Sequence, residues 1–279
     1  MSNTPEDHSL FEPGDDDTWI PTDYARGPWD PRACHGGPVS ALLARGVEAV
    51  EPAVPDSQVA WQVARLTIEL TRPVPVGRPL TMITDIERPG RKVSLVAVRL
   101  LDADTEVARV RALRIRSHHL DLPDDTAQPL PDPPGAPGDA PTQRVTWAVD
   151  DHIAFHSDAC DHRFVEGSWD TPGPVGVWIR LRTRVVPGEA PSGLQRAAAA
   201  ADFGNGVSAG LPFERFLYIN PDLTVHLLRD PVGEWIGMRS ASHYGTADHS
   251  VGAGFAESAL YDADGRVGRS VQSLLLDER

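Results

Sequence analysis

One lysine, Lys92, stands in a chain of 279 residues; every other basic side chain is arginine. That skew is what a GC-rich genome writes, and it removes the phosphate-loop chemistry that needs a lysine directly after its glycines. Cysteine is nearly as scarce. Cys34 and Cys160 are the only two, too few for a disulfide framework, so cytoplasmic residence is the expectation. No apolar run approaches the roughly 18 residues of a membrane span, and the polar, acidic start of the chain is not a secretory signal. Cations are outnumbered throughout. The formal net charge of −14 argues against nucleic acid as the main partner, because neutralising phosphates takes clustered cations. With 41% hydrophobic and 24% charged residues, what remains is the composition of an ordinary soluble globular protein.

Present instead is a segment written twice. Leu100-Leu-Asp-Ala-Asp-Thr-Glu-Val-Ala-Arg109 returns as Leu260-Tyr-Asp-Ala-Asp-Gly-Arg-Val-Gly-Arg269 at a shift of 160 residues. Upstream, Leu66-Thr-Ile-Glu-Leu-Thr-Arg72 returns as Leu223-Thr-Val-His-Leu-Leu-Arg229 at a shift of 157. Two matches in the same order at nearly one shift indicate a tandem duplication of one structural unit. Residues 118–144 carry seven prolines and no aromatic side chain. Such a stretch cannot build a core and reads as an extended linker. The expected organisation is therefore a first repeat over 1–117, frayed at its acidic tail to about Asp17, a linker over 118–144, and a second repeat over 145–279.

Each copy reads as a helix followed by strands. In the first, Val39, Leu42, Leu43, Val47 and Val50 draw a helical stripe over 37–50, with Pro38 suited to the first turn. Alternating runs at 64–72, 80–88, 93–102 and 106–116 predict strands. In the second copy a strand over 175–186 precedes a helix over 195–207, which includes five consecutive alanines, the strongest helix formers, and whose end is expected to fray at Gly204-Asn-Gly206. Strands at 222–229, 235–242, 252–262 and 267–276 follow. Two antiparallel sheets, each wrapping a helix and joined edge to edge, make an α+β double hot dog.

Several segments carry a family resemblance: His35-Gly-Gly-Pro-Val-Ser-Ala-Leu-Leu-Ala44, Arg72-Pro-Val-Pro-Val-Gly-Arg78, Ala201-Asp-Phe-Gly-Asn-Gly206, Ile219-Asn-Pro-Asp-Leu-Thr-Val-His226, Pro231-Val-Gly-Glu-Trp235 and Asp264-Gly-Arg-Val-Gly-Arg-Ser-Val-Gln272. Together the chain resembles the thioesterase-like double hot-dog proteins related to bacterial type II acyl-CoA thioesterases, over nearly its whole length. The resemblance implies hydrolysis of an acyl-CoA thioester by a water held between an Asp on the second helix, a hydroxyl where the next strand begins, and a Gln on the last strand. The matching positions are Asp202, Asn220 and Gln272, with an amide at 220 in place of the hydroxyl. It also implies a homo-oligomer, with no metal or redox cofactor.

The residues themselves allow that chemistry. A carboxylate within reach of a water can orient it and take its proton, and burial and amide donors push the carboxylate's pKa in opposite directions. At the repeat shifts, Asp202, Asn220 and Gln272 correspond to Arg45, Val63 and Ala112, so a single composite site around the second helix is expected. His35, Gly36 and Gly37 precede the first helix, where backbone N–H groups attract an anion such as a thioester oxygen. The α/β-hydrolase route, which needs a nucleophile elbow between strand and helix, is set aside. His152, His156, Cys160 and His162 have zinc-ligand chemistry, but a strand would put Cys160 and His162 on one face without the others, so no metal site is expected. Two other readings stay open. One is an enoyl-thioester hydratase or dehydratase using His35 or His226; the other is a non-catalytic acyl-thioester or lipid binder.

Overall fold

The computed structural model describes residues 8–16, 18–52, 60–123, 133–138, 140–145, 152–245 and 251–279. Its strands are β1 (Phe11–Pro13), β2 (Thr18–Pro21), β3 (Ala60–Glu69), β4 (Leu80–Arg88), β5 (Val93–Asp102), β6 (Thr105–Ser117), β7 (Cys160–Glu166), β8 (Val175–Leu181), β9 (Phe216–Ile219), β10 (Asp222–Leu227), β11 (Trp235–His243), β12 (Ala253–Asp262) and β13 (Gly265–Glu278). Among the described residues three α-helices accompany them: α1 (Gly36–Ala49), α2 (Gly193–Ala201) and the one-turn α3 (Gly204–Val207).

All strands join one 13-stranded sheet in the order β1-β2-β4-β5-β6-β3-β10-β13-β12-β11-β8-β7, with β9 added beside β13. The seam between the repeats is the antiparallel pair β3–β10, where Leu66 faces Val225 and Ile68 faces Leu223. Outward from that seam, β6, β5, β4 and β2 on one side mirror β13, β12, β11 and β8 on the other. The duplication thus reappears as a pseudo-twofold about the seam, and the fold is the expected double hot dog.

Period-2 alternation places the core. Along β5, Val96, Val98 and Leu100 are fully buried while Arg99 is exposed. The buried face meets α1, whose Val39, Leu42, Leu43 and Val47 lose nearly all their exposure, worth about 1.5–3 kcal/mol each. The two helices pack antiparallel. A Cβ on Gly37 would lie 2.9 Å from the Ala199 carbonyl oxygen, and at the far end Gln195 Nε2 donates to Glu48 Oε2 at 2.7 Å. The buried run Ala197 to Ala201 therefore supplies small side chains for close approach as well as helix propensity.

Four expectations need correction. The chain before Asp17 is not frayed over its described part: Leu10 and Phe11 are fully buried, and their N–H groups donate to Arg184 O at 2.8 Å and Val185 O at 3.0 Å. Those bonds bring the β1 edge against the segment that leaves β8. The second helix is not continuous, because it breaks at Asp202–Phe203 between α2 and α3. The strand expected at 64–72 lies at Ala60–Glu69, with a bulge between Val63 and Arg65. Finally, the proline-rich stretch is strapped down where it is described. Trp178 Nε1 donates to Gly135 O at 2.6 Å, Arg163 Nη1 to Gly138 O at 2.8 Å, and Gln143 N to His162 O at 2.8 Å.

Candidate active site

The break in the second helix is held open by Gln272. Its Nε2 donates to Asp202 O at 3.0 Å and its Oε1 accepts from Asn205 N at 3.0 Å, so one buried amide replaces two backbone partners lost at the break. Gly204 makes room for it, since a Cβ there would sit 2.8 Å from Gln272 Oε1. Gln272 is 1% exposed. Its amide grips backbone, not the Asp202 carboxylate, and it is outside the residues that line the neighbouring cavity.

Asp202 closes α2 and is 4% exposed. Its Oδ1 accepts from Asn220 Nδ2 at 2.8 Å, and its Oδ2 lies 2.8 Å from His35 Nδ1. The carboxylate sits over the first turn of α1, where the helix dipole favours an anion. Only glycine fits beneath it: a Cβ on Gly36 would lie 2.6 Å from Oδ1 and 2.7 Å from Oδ2. Asn220, at the end of β9 just before Pro221, reaches the carboxylate with the amide that stands where a hydroxyl was expected.

His35 is the N-cap of α1, its Nδ1 lying 3.1 Å from Gly37 N as well as beside Asp202. Nδ1 therefore stands between the Gly37 N–H and the Asp202 carboxylate, which ties the two side chains into one pair. The imidazole packs against both Phe155 and Phe203, with ring centroids 5.1 and 4.9 Å away, and those two rings stack on each other at 5.4 Å.

The amides expected to receive an oxyanion are largely committed. His35 N donates to Ala25 O at 2.8 Å and Gly37 N to His35 Nδ1. Gly36 remains, on the cavity wall beside the carboxylate.

That cavity holds about 440 Å³ and opens between residues 27–35, 70–74 and 217–221. Asp202, Asn220, His35 and Asn205 are its main polar lining; Val39, Leu70, Val74, Val145, Trp169 and Ile219 make an apolar interior. Arg72, exposed, is the cation on its wall among the described residues. Cys34 also lines it, but burial pushes its thiol pKa far up, so the thiolate nucleophile is not accessible. Burial raises the Tyr218 phenol as well, which stays protonated.

Two further histidines lie near His35, and sequence reasoning gave neither a place in this site. His156 lines the cavity, 6.4 Å ring to ring from His35. His162, 1% exposed, sets its ring edge-on to Trp169 and Phe203. Burial, helped by His156 and His35, pushes its pKa down to about 3, so it is neutral near pH 7. Both had drawn attention only for zinc-ligand chemistry, and among the described residues no three His, Cys, Asp or Glu side chains gather as a metal site. The letters Gly-x-Ser-x-Gly do occur, as Gly206-Val-Ser-Ala-Gly210. They close α3 instead of joining a strand to a helix, and Ser208 Oγ is 2.7 Å from Gly204 O and 2.8 Å from Ser242 Oγ, so this serine caps a turn and is no elbow nucleophile.

His226, the other histidine considered, lies exposed on β10 between Arg65 and Arg269, away from the cavity. Burial and those two arginines lower its pKa.

Among solved structures, a proposed thioesterase II from Thermobifida fusca YX superposes with a TM-score of 0.68 at 18% identity, covering 99% of both chains. A hot-dog protein of unknown function from Alicyclobacillus acidocaldarius gives 0.67 at 16% identity, over 98% of this chain and 97% of that one. The tesB protein MAP1729c of Mycobacterium avium subs paratuberculosis gives 0.64 at 14% identity, over 96% and 95%. At such identities the likeness speaks for the fold. No curated protein matches the sequence. No helix of the described residues is long and apolar enough to cross a membrane. The models for the acyl-CoA thioesterase N-terminal and C-terminal domains match residues 25–115 and 124–276. Matched along both of its repeats, the chain belongs to the acyl-CoA thioesterase family.

Proposed function

We propose that the protein hydrolyses the thioester of an acyl-coenzyme A to the free acid and CoA, with the attacking water activated at Asp202. The observation that carries this reading is a buried carboxylate on the wall of an apolar cavity, fixed from both sides at 2.8 Å by Asn220 and His35. Each carboxylate oxygen keeps acceptor capacity beyond those contacts, enough to orient a water. The acyl chain lies along Val39, Leu70, Val74 and Ile219, and Arg72 on the lip meets the CoA phosphates.

Attack of the water oxygen on the thioester carbon forms the C–O bond, and the water's proton passes to the Asp202–His35 pair. The developing oxyanion is met by Gly36 N–H at the first turn of α1, where backbone donors cost no reorganisation. Collapse of the adduct breaks the C–S bond and returns the proton to the departing thiolate. Asn220 keeps the carboxylate in place, and Gln272 acts through the backbone by fixing the helix break that presents Asp202.

The test is thiol release from short, long and aromatic acyl-CoAs. Wild type should turn over at least one of them, and Asp202→Asn should lose about 10²–10⁴ of the rate. No release from any thioester by folded protein, or full activity in Asp202→Asn, would overturn the reading. The His35–Asp202 contact also suits hydration of an enoyl thioester; loss of enoyl absorbance without thiol release would move the assignment there.

A further inference from the structure

Glycine weakens a helix, because it surrenders more backbone freedom than alanine and brings no side chain to pack. The α-helices of the described residues carry six, and five have a steric reason. A Cβ would lie 2.6 Å from Asp202 Oδ1 at Gly36, 2.6 Å from the Phe155 ring at Gly37 and 2.9 Å from Met82 Sδ at Gly46. At Gly204 it would lie 2.8 Å from Gln272 Oε1, and at Gly193 it would strike the Pro231 carbonyl oxygen. Gly206, in α3, is the sixth, and a Cβ there meets nothing within 4 Å. Nor does its backbone ask for glycine, since its φ is not positive. The repeat shift of 157 puts Ala49 at the equivalent place, the last residue of α1, so this position in the fold accepts a methyl. Neither packing nor conformation explains the bare backbone at 206.

The space above it is the main cavity, whose wall Gly206 shares with Trp29, Leu217 and Tyr218. At the helix break, Asp202 and Phe203 keep right-handed φ/ψ of −68°/−20° and −73°/−11°. Gly206 therefore follows Asp202 by about one turn on the same side, roughly 6 Å further along the axis. Asn205 pins this turn to β9, its Nδ2 donating to Tyr218 O at 3.0 Å. On β9, Ile219 and Leu217 point to the same side of the strand, and both line the cavity. An apolar strip thus leads from the carboxylate along β9 to uncovered α3 backbone. It offers little to the amides of a pantetheine arm, because the Asn205 N–H is spent on Tyr218. Methylenes suit it.

We propose that Gly206 sets the acyl length this protein accepts: its missing side chain leaves room for the distal methylenes of a straight chain to pass between α3 and Leu217. The inference rests on the acyl-thioester reading of the cavity and adds to it a residue that selects among substrates.

The experiment compares Gly206→Ala and Gly206→Leu with wild type on butyryl-CoA and decanoyl-CoA. In parallel, calorimetry follows the binding of S-ethyl-CoA and S-decyl-CoA, thioethers with no carbonyl to cleave. Gly206→Leu should lower the decanoyl-to-butyryl ratio of kcat/KM by at least about tenfold, and should weaken S-decyl-CoA by a similar factor relative to S-ethyl-CoA. Gly206→Ala should move both ratios a smaller step the same way and raise Tm by about 1–3 °C, since the methyl enters open space. Asp202→Asn should slow both substrates alike and leave the ratio where it was. Unchanged ratios in folded Gly206→Leu, a lowered Tm in Gly206→Ala, or wild type that binds S-decyl-CoA no tighter than S-ethyl-CoA would overturn the proposal. If wild type cleaves no thioester, the hydrolase reading fails by itself and the thioethers still decide: equal weakening of both by Gly206→Leu, or of neither, overturns the role of Gly206.

Discussion

The two ends of the helix pair are built on one plan and furnished in opposite ways. At one end His35 caps α1 by accepting from Gly37 N at 3.1 Å; at the other Ser192 caps α2 by accepting from Gln195 N at the same distance. Gly36 and Gly193 follow those caps, 157 residues apart. Facing them from the partner helix stand Asp202 and Arg45, again 157 apart. The anion settles over a helix N-terminus, where the dipole welcomes it. A cation gains nothing there, and Arg45 turns to Glu189 and to the face of Trp19, 4.8 Å from its ring centre. Duplication supplied a twofold frame, and a handful of side chains decided which end presents a buried carboxylate to a cavity.

The sharpest way to break that comparison is to neutralise both facing residues. Asp202→Asn should cut thiol release by about 10²–10⁴, whereas Arg45→Gln should leave it within about twofold, because a half-exposed ion pair contributes little. Activity lost equally in both would mean that the ends are not functionally distinct. Next come the repeated turn acids. Asp262 is 1% exposed and accepts from Arg229 at 2.5 and 2.6 Å, Val232 N at 2.8 Å and Asp264 N at 2.9 Å. Those bonds hold its pKa down against the burial that raises it. Asp102, its equivalent, meets only a largely exposed Arg78 at 2.8 Å. Asp262→Asn should cost about 3 kcal/mol in urea unfolding, and Asp102→Asn under about 1 kcal/mol.

The glycines separate activity from stability. Gly36→Ala drives a methyl into the Asp202 carboxylate and should lower kcat about 10²-fold with little change in Tm. Gly193→Ala meets the Pro231 carbonyl oxygen at 2.0 Å and should destabilise by about 1–3 kcal/mol without a specific loss of turnover. Measuring kcat and Tm on the same preparations decides it.

The smallest effect is pH-dependent and belongs to the end that holds Asp202. His162 titrates near 6.5 when unfolded and is pushed down to about 3 when folded. The unfolded chain therefore binds the extra proton between those values, and the stability that neutral His162 allows is complete above pH 6.5 and drains away as pH falls toward 3. Between pH 7 and pH 5 wild type should lose about 2 kcal/mol more than His162→Leu. Parallel unfolding curves for the two proteins at both pH values would contradict it.

Much of this was legible in the chain. The strands at 80–88 and 93–102 fall where alternation put them, because one face of each must be apolar to cover a helix. Asp202 and Asn220 were marked by their position in the resemblance, and they do meet. The signal for His35 was a glycine pair after it, which spoke for backbone donors; that its ring would reach Asp202 depends on a helix 157 residues away. Gln272 looked like a partner of the carboxylate, but its role follows from a helix break at Asp202–Phe203, where the glycines at 204 and 206 had pointed only to a frayed end. Phe11 was lost in an acidic tail, since one short strand has no period to read.

The sequence by itself determined the duplication, the alternation of each strand and the helical stripe of α1, because these are local patterns whose period fixes which side is buried. Only the tertiary structure decided which polar residues meet. Packing the helices antiparallel sets the cap of one against the end of the other, so a carboxylate, an imidazole and an amide from three distant segments converge within hydrogen-bond range.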